Sequence, residues 1–138
     1  MSDESHYIPS SSLAGELESV RERAFTRWMS RDLRQGAADF CKNIGLSSIY
    51  SEVSPEGTTR YLFWHPPAGA VVEVRSGRAF EQFKAFDNAN TSRGMALLSL
   101  HVNEKALYSA VWINTDQLDA GKSTLAHFGI TPAGRKPA

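Results

Sequence analysis

The chain has 138 residues, with 15 Lys+Arg set against 15 Asp+Glu, so its formal net charge is +0. An apolar fraction of 41% and a charged fraction of 22% are ordinary for a globular chain, and the length suits one domain with a core of its own. The charge balance argues against a nucleic-acid or anionic-membrane binder, and the single cysteine, Cys41, excludes an internal disulfide framework and a cysteine-cluster zinc site.

Residues 1–11 are polar and read as a flexible N-terminal tail, without the basic-then-apolar pattern of a secretory signal. No apolar run approaches the roughly 18 residues of a membrane span, and a free thiol fits a reducing cytoplasm. Leu13, Leu17, Val20, Ala24 and Trp28 then recur at helical steps, capped by Ser11 or Ser12. Beyond Ser30, a second possible cap, Leu33, Ala37, Phe40 and Ile44 form another helical stripe that Gly45 stops. The spacing is equally compatible with one bent helix or two. Arginines 21, 23, 27, 31 and 34 are interleaved with acids, as on a solvated face.

The period then changes to two. Ser47 to Ser54 alternates as a first strand, and Pro55-Glu56-Gly57 is turn chemistry. Arg60 to Trp64 is a second strand, apolar or aromatic on both faces. His65-Pro66-Pro67-Ala68-Gly69 breaks it, and Ala70 to Arg75 is a third strand with Ala70, Val72 and Val74 inward. Ser76 can cap a helix carrying Phe80, Phe83 and Phe86, which fades at Asn88-Ala89-Asn90. Met95 to Val102 is the clearest strand, with Ala96, Leu98, Leu100 and Val102 on one face and Met95, Leu97, Ser99 and His101 on the other. Ala106 to Ile113 follows after a short turn. Thr115 caps a last helix with Leu118, Leu125 and Phe128 on one stripe, ended by Gly129, and residues 131–138 read as a second flexible tail. The expected fold is α+β over residues 12–130: an antiparallel five-stranded sheet with three main helices, in the order α-β-β-β-α-β-β-α.

The side chains offer little catalytic chemistry. Gly121-Lys122-Ser123 looks like the end of a phosphate loop, but Asp116 stands where that motif needs glycine. The histidines, 6, 65, 101 and 127, have no metal-ligand spacing, and Cys41 beside Phe40 reads as a small apolar residue. No cofactor, metal or catalytic set is expected. The aromatic strands say more. Tyr61-Leu62-Phe63-Trp64 is apolar on both faces, whereas an antiparallel sheet with helices on one side buries only one. Either a helix or the N-terminal extension covers the second face, or that face binds a partner chain.

Two short segments carry a resemblance. Asp39-Phe40-Cys41-Lys42-Asn43-Ile44-Gly45-Leu46 and Phe86-Asp87-Asn88-Ala89-Asn90 resemble the ends of the first and second helices of the class I chaperones of type III secretion, and the order of elements over residues 33–130 is similar too. The resemblance implies a cytoplasmic, non-enzymatic homodimer. Phe80, Phe83, Leu98 and Leu100 would carry dimer contacts, and Phe40, Ile49, Tyr61, Phe63 and Trp64 would hold an extended segment of an effector protein by strand addition and groove filling. Two rival readings are a small enzyme or ligand-binding domain with a pocket near His65 or His101, and a regulatory module that pairs through a sheet edge.

Overall fold

A computed structural model describes residues 25–26, 28–30 and 43–133. Its elements in chain order are β1 (Ser47–Val53), β2 (Thr59–Trp64), β3 (Val72–Arg78), α1 (Phe80–Ser92), β4 (Met95–Val102), β5 (Tyr108–Asn114), a 3-10 turn (Thr115–Gln117) and α2 (Leu118–His127). The fold is α+β, but the five strands do not form one sheet. β1 and β2 make a two-stranded antiparallel sheet, and β3, β5 and β4 a three-stranded one in that spatial order. Two helices, not three, stand among the described residues.

The loop between β2 and β3 explains the split. Two prolines at 66 and 67 supply no backbone donor and restrict the chain, so no tight hairpin can join β2 to β3. The loop turns instead through an Ala70 N–H bond to the Pro67 carbonyl (3.1 Å). Asn114 then fastens it to the end of β5, accepting from the Val71 N–H (2.8 Å) and donating to the Gly69 carbonyl (3.2 Å). β3 is thereby delivered to β5. By contrast, Ser54-Pro55-Glu56-Gly57 does close the expected hairpin: the Ser54 carbonyl accepts from Gly57 and the Ser54 N–H donates to the Thr58 carbonyl (2.9 and 2.8 Å).

The three-stranded sheet is the middle layer. α1 covers one face, with Phe83, Met95, Leu97, Ala110 and Trp112 in its core. The β1–β2 pair and α2 cover the other, around Ile49, Leu62, Leu98, Val111, Ile113 and Leu125. A bulge between Leu97 and Ser99 sets which β4 residue faces where. It corrects the expected alternation: Leu97 and Leu100 share the α1 face, while Leu98 and Ser99 both face β1. The Ser99 hydroxyl uses that position to donate to the Ile49 carbonyl (2.8 Å).

The expected second helix runs as α1, but Ser76 does not cap it. Ser76 lies within β3, and the residue at the N-cap is Ala79, whose N–H donates to the Gln82 side chain (3.1 Å). A second bulge, between Arg75 and Arg78, prolongs the strand. Gly77 takes φ +66 there, and a Cβ on it would stand 3.3 Å from Val53, so the bulge needs glycine twice over. The buried row of α1 is Phe83, Asp87 and Asn90, with Phe80 46% exposed.

The first helical stripe is corrected at its end. Phe25 and Met29 are not helical; they bridge antiparallel to Leu62 and Thr59 of β2. Leu13, Leu17, Val20 and Ala24 of that stripe, Leu33, Ala37 and Phe40 of the second stripe, Cys41, and the tail residues 1–11 and 134–138 lie outside the described residues; Ile44, the last residue of the second stripe, is 50% exposed, and Gly45 follows it at φ +83. Among the described residues, no helix is long and apolar enough to cross a membrane.

Candidate functional site

A groove of about 590 Å³ opens between the β1–β2 pair and β3. Its apolar wall is Leu46, Tyr61, Phe63 and Pro66. Its floor is residues 72–76 together with Arg78. Consecutive residues line it, those that face α1 as well as those that face the core, so the groove looks onto the edge of β3 rather than onto a face. β5 takes the opposite edge. The Asn114 N–H donates to the Val71 carbonyl (3.2 Å), and from there the antiparallel alternation turns the backbone groups of Glu73 and Arg75 toward β5 and those of Val72 and Val74 outward. The groove narrows at one end, where the Ser51 and Ser76 hydroxyls meet at 2.7 Å.

The other edges are bonded at least in part among the described residues. The chain's own Phe25, Thr26 and Met29 lie on the outer edge of β2: Thr26 N–H donates to the Tyr61 carbonyl (2.8 Å), Met29 and Thr59 exchange two backbone bonds (2.7 and 2.9 Å), and the Thr26 hydroxyl accepts from the Tyr61 N–H (2.9 Å). The Arg60 guanidinium stacks over both Phe25 and Trp28, 4.0 and 4.6 Å from the ring centres. At β1, the Asn103 side chain donates to the Val53 carbonyl (3.2 Å), as Ser99 does to Ile49. At β4, Ala133 N–H donates to the Leu98 carbonyl (2.9 Å).

Of the residues expected to hold a partner, Tyr61 and Phe63 border the groove, their rings stacked at 5.5 Å, Tyr61 buried and Phe63 half-buried. Ile49 and Trp64 belong to the core, and Phe40 lies outside the described residues. Of those expected at a dimer contact, Phe80 is exposed and Leu100 half-buried, whereas Phe83 is buried and Leu98 completely so. Phe80 continues into an apolar patch through Tyr108 (ring centres 5.4 Å apart) toward Val102, which is 44% exposed.

Polar groups cluster on the α1 side of β3. The Glu73 carboxylate accepts from Arg93 Nη2 (2.9 Å), Asn90 Nδ2 (3.2 Å) and Arg75 Nε (3.2 Å), and Arg93 also donates to Asn90. Burial pushes the Glu73 pKa up, but the donors from Asn90, Arg75 and Arg93 outweigh it and hold the carboxyl below its ordinary value of 4.5. A folded-state pKa lower than the unfolded one gives stability that is present above about 4.5 and is lost as pH falls through the folded value. The stability gap between the wild type and Glu73→Gln should therefore be widest at neutral pH and shrink on acidification below about pH 5, as read from urea midpoints at each pH. A gap independent of pH would contradict this. Only the pattern of charges along β3 hinted at this cluster, because Asn90 and Arg93 reach it from across the fold.

The remaining candidates are dispersed. His65 is exposed after β2, and His127 is exposed with its ring against Phe128. His101 is half-buried edge-on to Tyr50 at 6.2 Å. The His101 Nδ1 and Trp64 Nε1 atoms are buried without a hydrogen-bond partner among the described residues. No three His, Cys, Asp or Glu side chains among the described residues converge to hold a metal ion. Gly121 of the Gly-Lys-Ser tripeptide is buried inside α2 against Leu98. No family model, no curated protein and no solved structure matches this chain.

Proposed function

We propose that this chain is a cytoplasmic, non-enzymatic binding protein of the secretion-chaperone type. It holds an extended segment of a partner protein and works as a homodimer. The observation that carries the reading is the groove walled by Leu46, Tyr61, Phe63 and Pro66 beside an outward-facing strand edge. Aromatic side chains give large contact area at low entropic cost, and backbone groups along an edge bind any extended chain. The exposed Phe80 and Val102, continuous with the half-buried Leu100 and Tyr108, supply a separate apolar surface for a second copy.

Co-purification with mass spectrometry, run alongside sedimentation, tests the reading. The wild type should sediment as a dimer and retain a partner through a segment that is extended in the complex. Phe63→Asp should lower capture of that partner about tenfold, as expected for a central aromatic anchor, while leaving the sedimentation coefficient and circular dichroism unchanged. A monomer that captures nothing, or capture indifferent to Phe63→Asp, would count against it.

A further inference from the structure

The outer edge of β2 carries a strap of the chain's own residues, and the strap fits it unevenly. Phe25 bridges to Leu62 and Met29 to Thr59, so four steps along the strap match three along β2. The strap is therefore bulged between its two bridges. Tyr61 shows the consequence. Its carbonyl accepts from the Thr26 N–H (2.8 Å), but its own N–H donates to the Thr26 hydroxyl (2.9 Å), where a regular ladder would offer the carbonyl.

The bulge turns two aromatic residues to one place. Counted from the Met29–Thr59 bridge, Trp28 stands opposite Arg60; counted from Phe25–Leu62, that place belongs to the second residue after Phe25. The extra residue thus brings Trp28 beside Phe25, and the Arg60 guanidinium lies over both rings at 4.0 and 4.6 Å. The platform under the rings belongs to the β1–β2 hairpin and not to the strap. Glu52 faces Arg60 across the pair and accepts from its Nε and Nη2 (3.0 and 2.9 Å), and the Tyr50 hydroxyl donates to the other Glu52 oxygen (3.1 Å). A strand in unbroken register would return a carbonyl to the Tyr61 N–H, and would set rings opposite Leu62 and Arg60 from alternate positions. Its intervening side chain would lie beside Tyr61, which borders the groove.

We propose that the outer edge of β2 receives the partner segment by strand exchange: an extended segment with aromatic residues at alternate positions displaces Phe25, Thr26, Trp28 and Met29 and places its rings on Arg60. The strap is then a resident competitor that sets how tightly a partner must bind. The inference rests on the reading of the chain as a holder of extended segments, and adds which edge receives the segment, what the segment carries and what it replaces.

Two capped peptides of about eight residues test it, each with threonine at every second position. One carries phenylalanine and tryptophan at two neighbouring alternate positions, the other leucine at both. Titrated into the full chain, the aromatic peptide should bind about tenfold more tightly. On binding, hydrogen exchange should accelerate at the Thr26 and Met29 amides and stay slow at Thr59 and Tyr61. Thr26→Pro removes the strap's N–H and its hydroxyl, and should raise affinity for the aromatic peptide about tenfold, because the competitor is weakened. Thr26→Val removes the hydroxyl alone and should give a smaller gain. Arg60→Lys keeps the charge but loses the planar stack, and should lower affinity about fivefold. A substitution that merely loosened the fold would weaken binding, so the opposite signs separate displacement from damage. Equal affinity for the two peptides, no gain from either Thr26 variant, or a Thr26 amide that stays protected in the complex would overturn the inference and leave the wider reading intact. Binding of neither peptide would also overturn it, and the wider reading falls with it only if partner capture fails as well.

Discussion

Trp112→Ala should destabilise the protein by about 3–5 kcal/mol, a large part of the total stability of a domain this size. Trp112 is fully buried at the centre of the middle layer. Its ring stacks on Phe83 with centres 5.9 Å apart, and its Nε1 donates to Asp87 Oδ1 at 2.9 Å, so β5 and α1 are joined by packing and by a polar bond at one residue. Trp112→Phe separates the two contributions. It keeps most of the ring but takes a donor from Asp87, which is only 4% exposed, at an expected cost of about 1–3 kcal/mol. Urea denaturation of both variants measures the difference. A Trp112→Phe midpoint equal to that of the wild type would show that the Asp87 bond contributes nothing net.

Gly121→Val should cost about 2 kcal/mol or more, against the direction of helix propensity. A Cβ at position 121 would stand 2.8 and 2.9 Å from the two methyl carbons of Leu98. Those methyls belong to a fully buried side chain in a packed core and have nowhere to retreat. The cause is tested by a cycle with Leu98→Ala, which alone leaves a cavity worth about 2–5 kcal/mol. If the two side chains compete for one space, Gly121→Val should be less harmful in the Leu98→Ala background, with a coupling of about 0.5–3 kcal/mol. Simple additivity would place the cost of Gly121→Val elsewhere.

These two contacts also mark how far the residues alone could be read. The strands were legible because alternation is a local property, and β4 runs from Met95 to Val102 as its pattern implies. The faces of β4 were not, because one bulge at Leu98 turns every later side chain over, and nothing in Met-Ala-Leu-Leu-Ser-Leu-His-Val marks it. The hairpin at Pro55-Glu56-Gly57 was legible from turn chemistry. The separation of β2 from β3 was not, although the two prolines that enforce it stand in plain view, because pairing was inferred from short connections. The helical spacing up to Trp28 concealed an extended end, since the hydrogen-bonding demand of Thr59 and Tyr61 on β2 outweighs the periodicity at Phe25 and Met29. Gly121 carried no signal beyond an ordinary helix interior; its reason is a side chain on another element. At the groove, Tyr61 and Phe63 stood out by composition, whereas the edge of β3 beside them emerges only once β3 is known to pair with β5.

That pairing has a kinetic side. Val71 and Asn114, which tie the start of β3 to the end of β5, are 43 residues apart, with α1 and β4 between them. On a ribosome the β1–β2 hairpin can zip as soon as it emerges, while β3 waits for its neighbour until β5 has been synthesised. Contact order, more than stability, sets the rate at which the middle layer assembles.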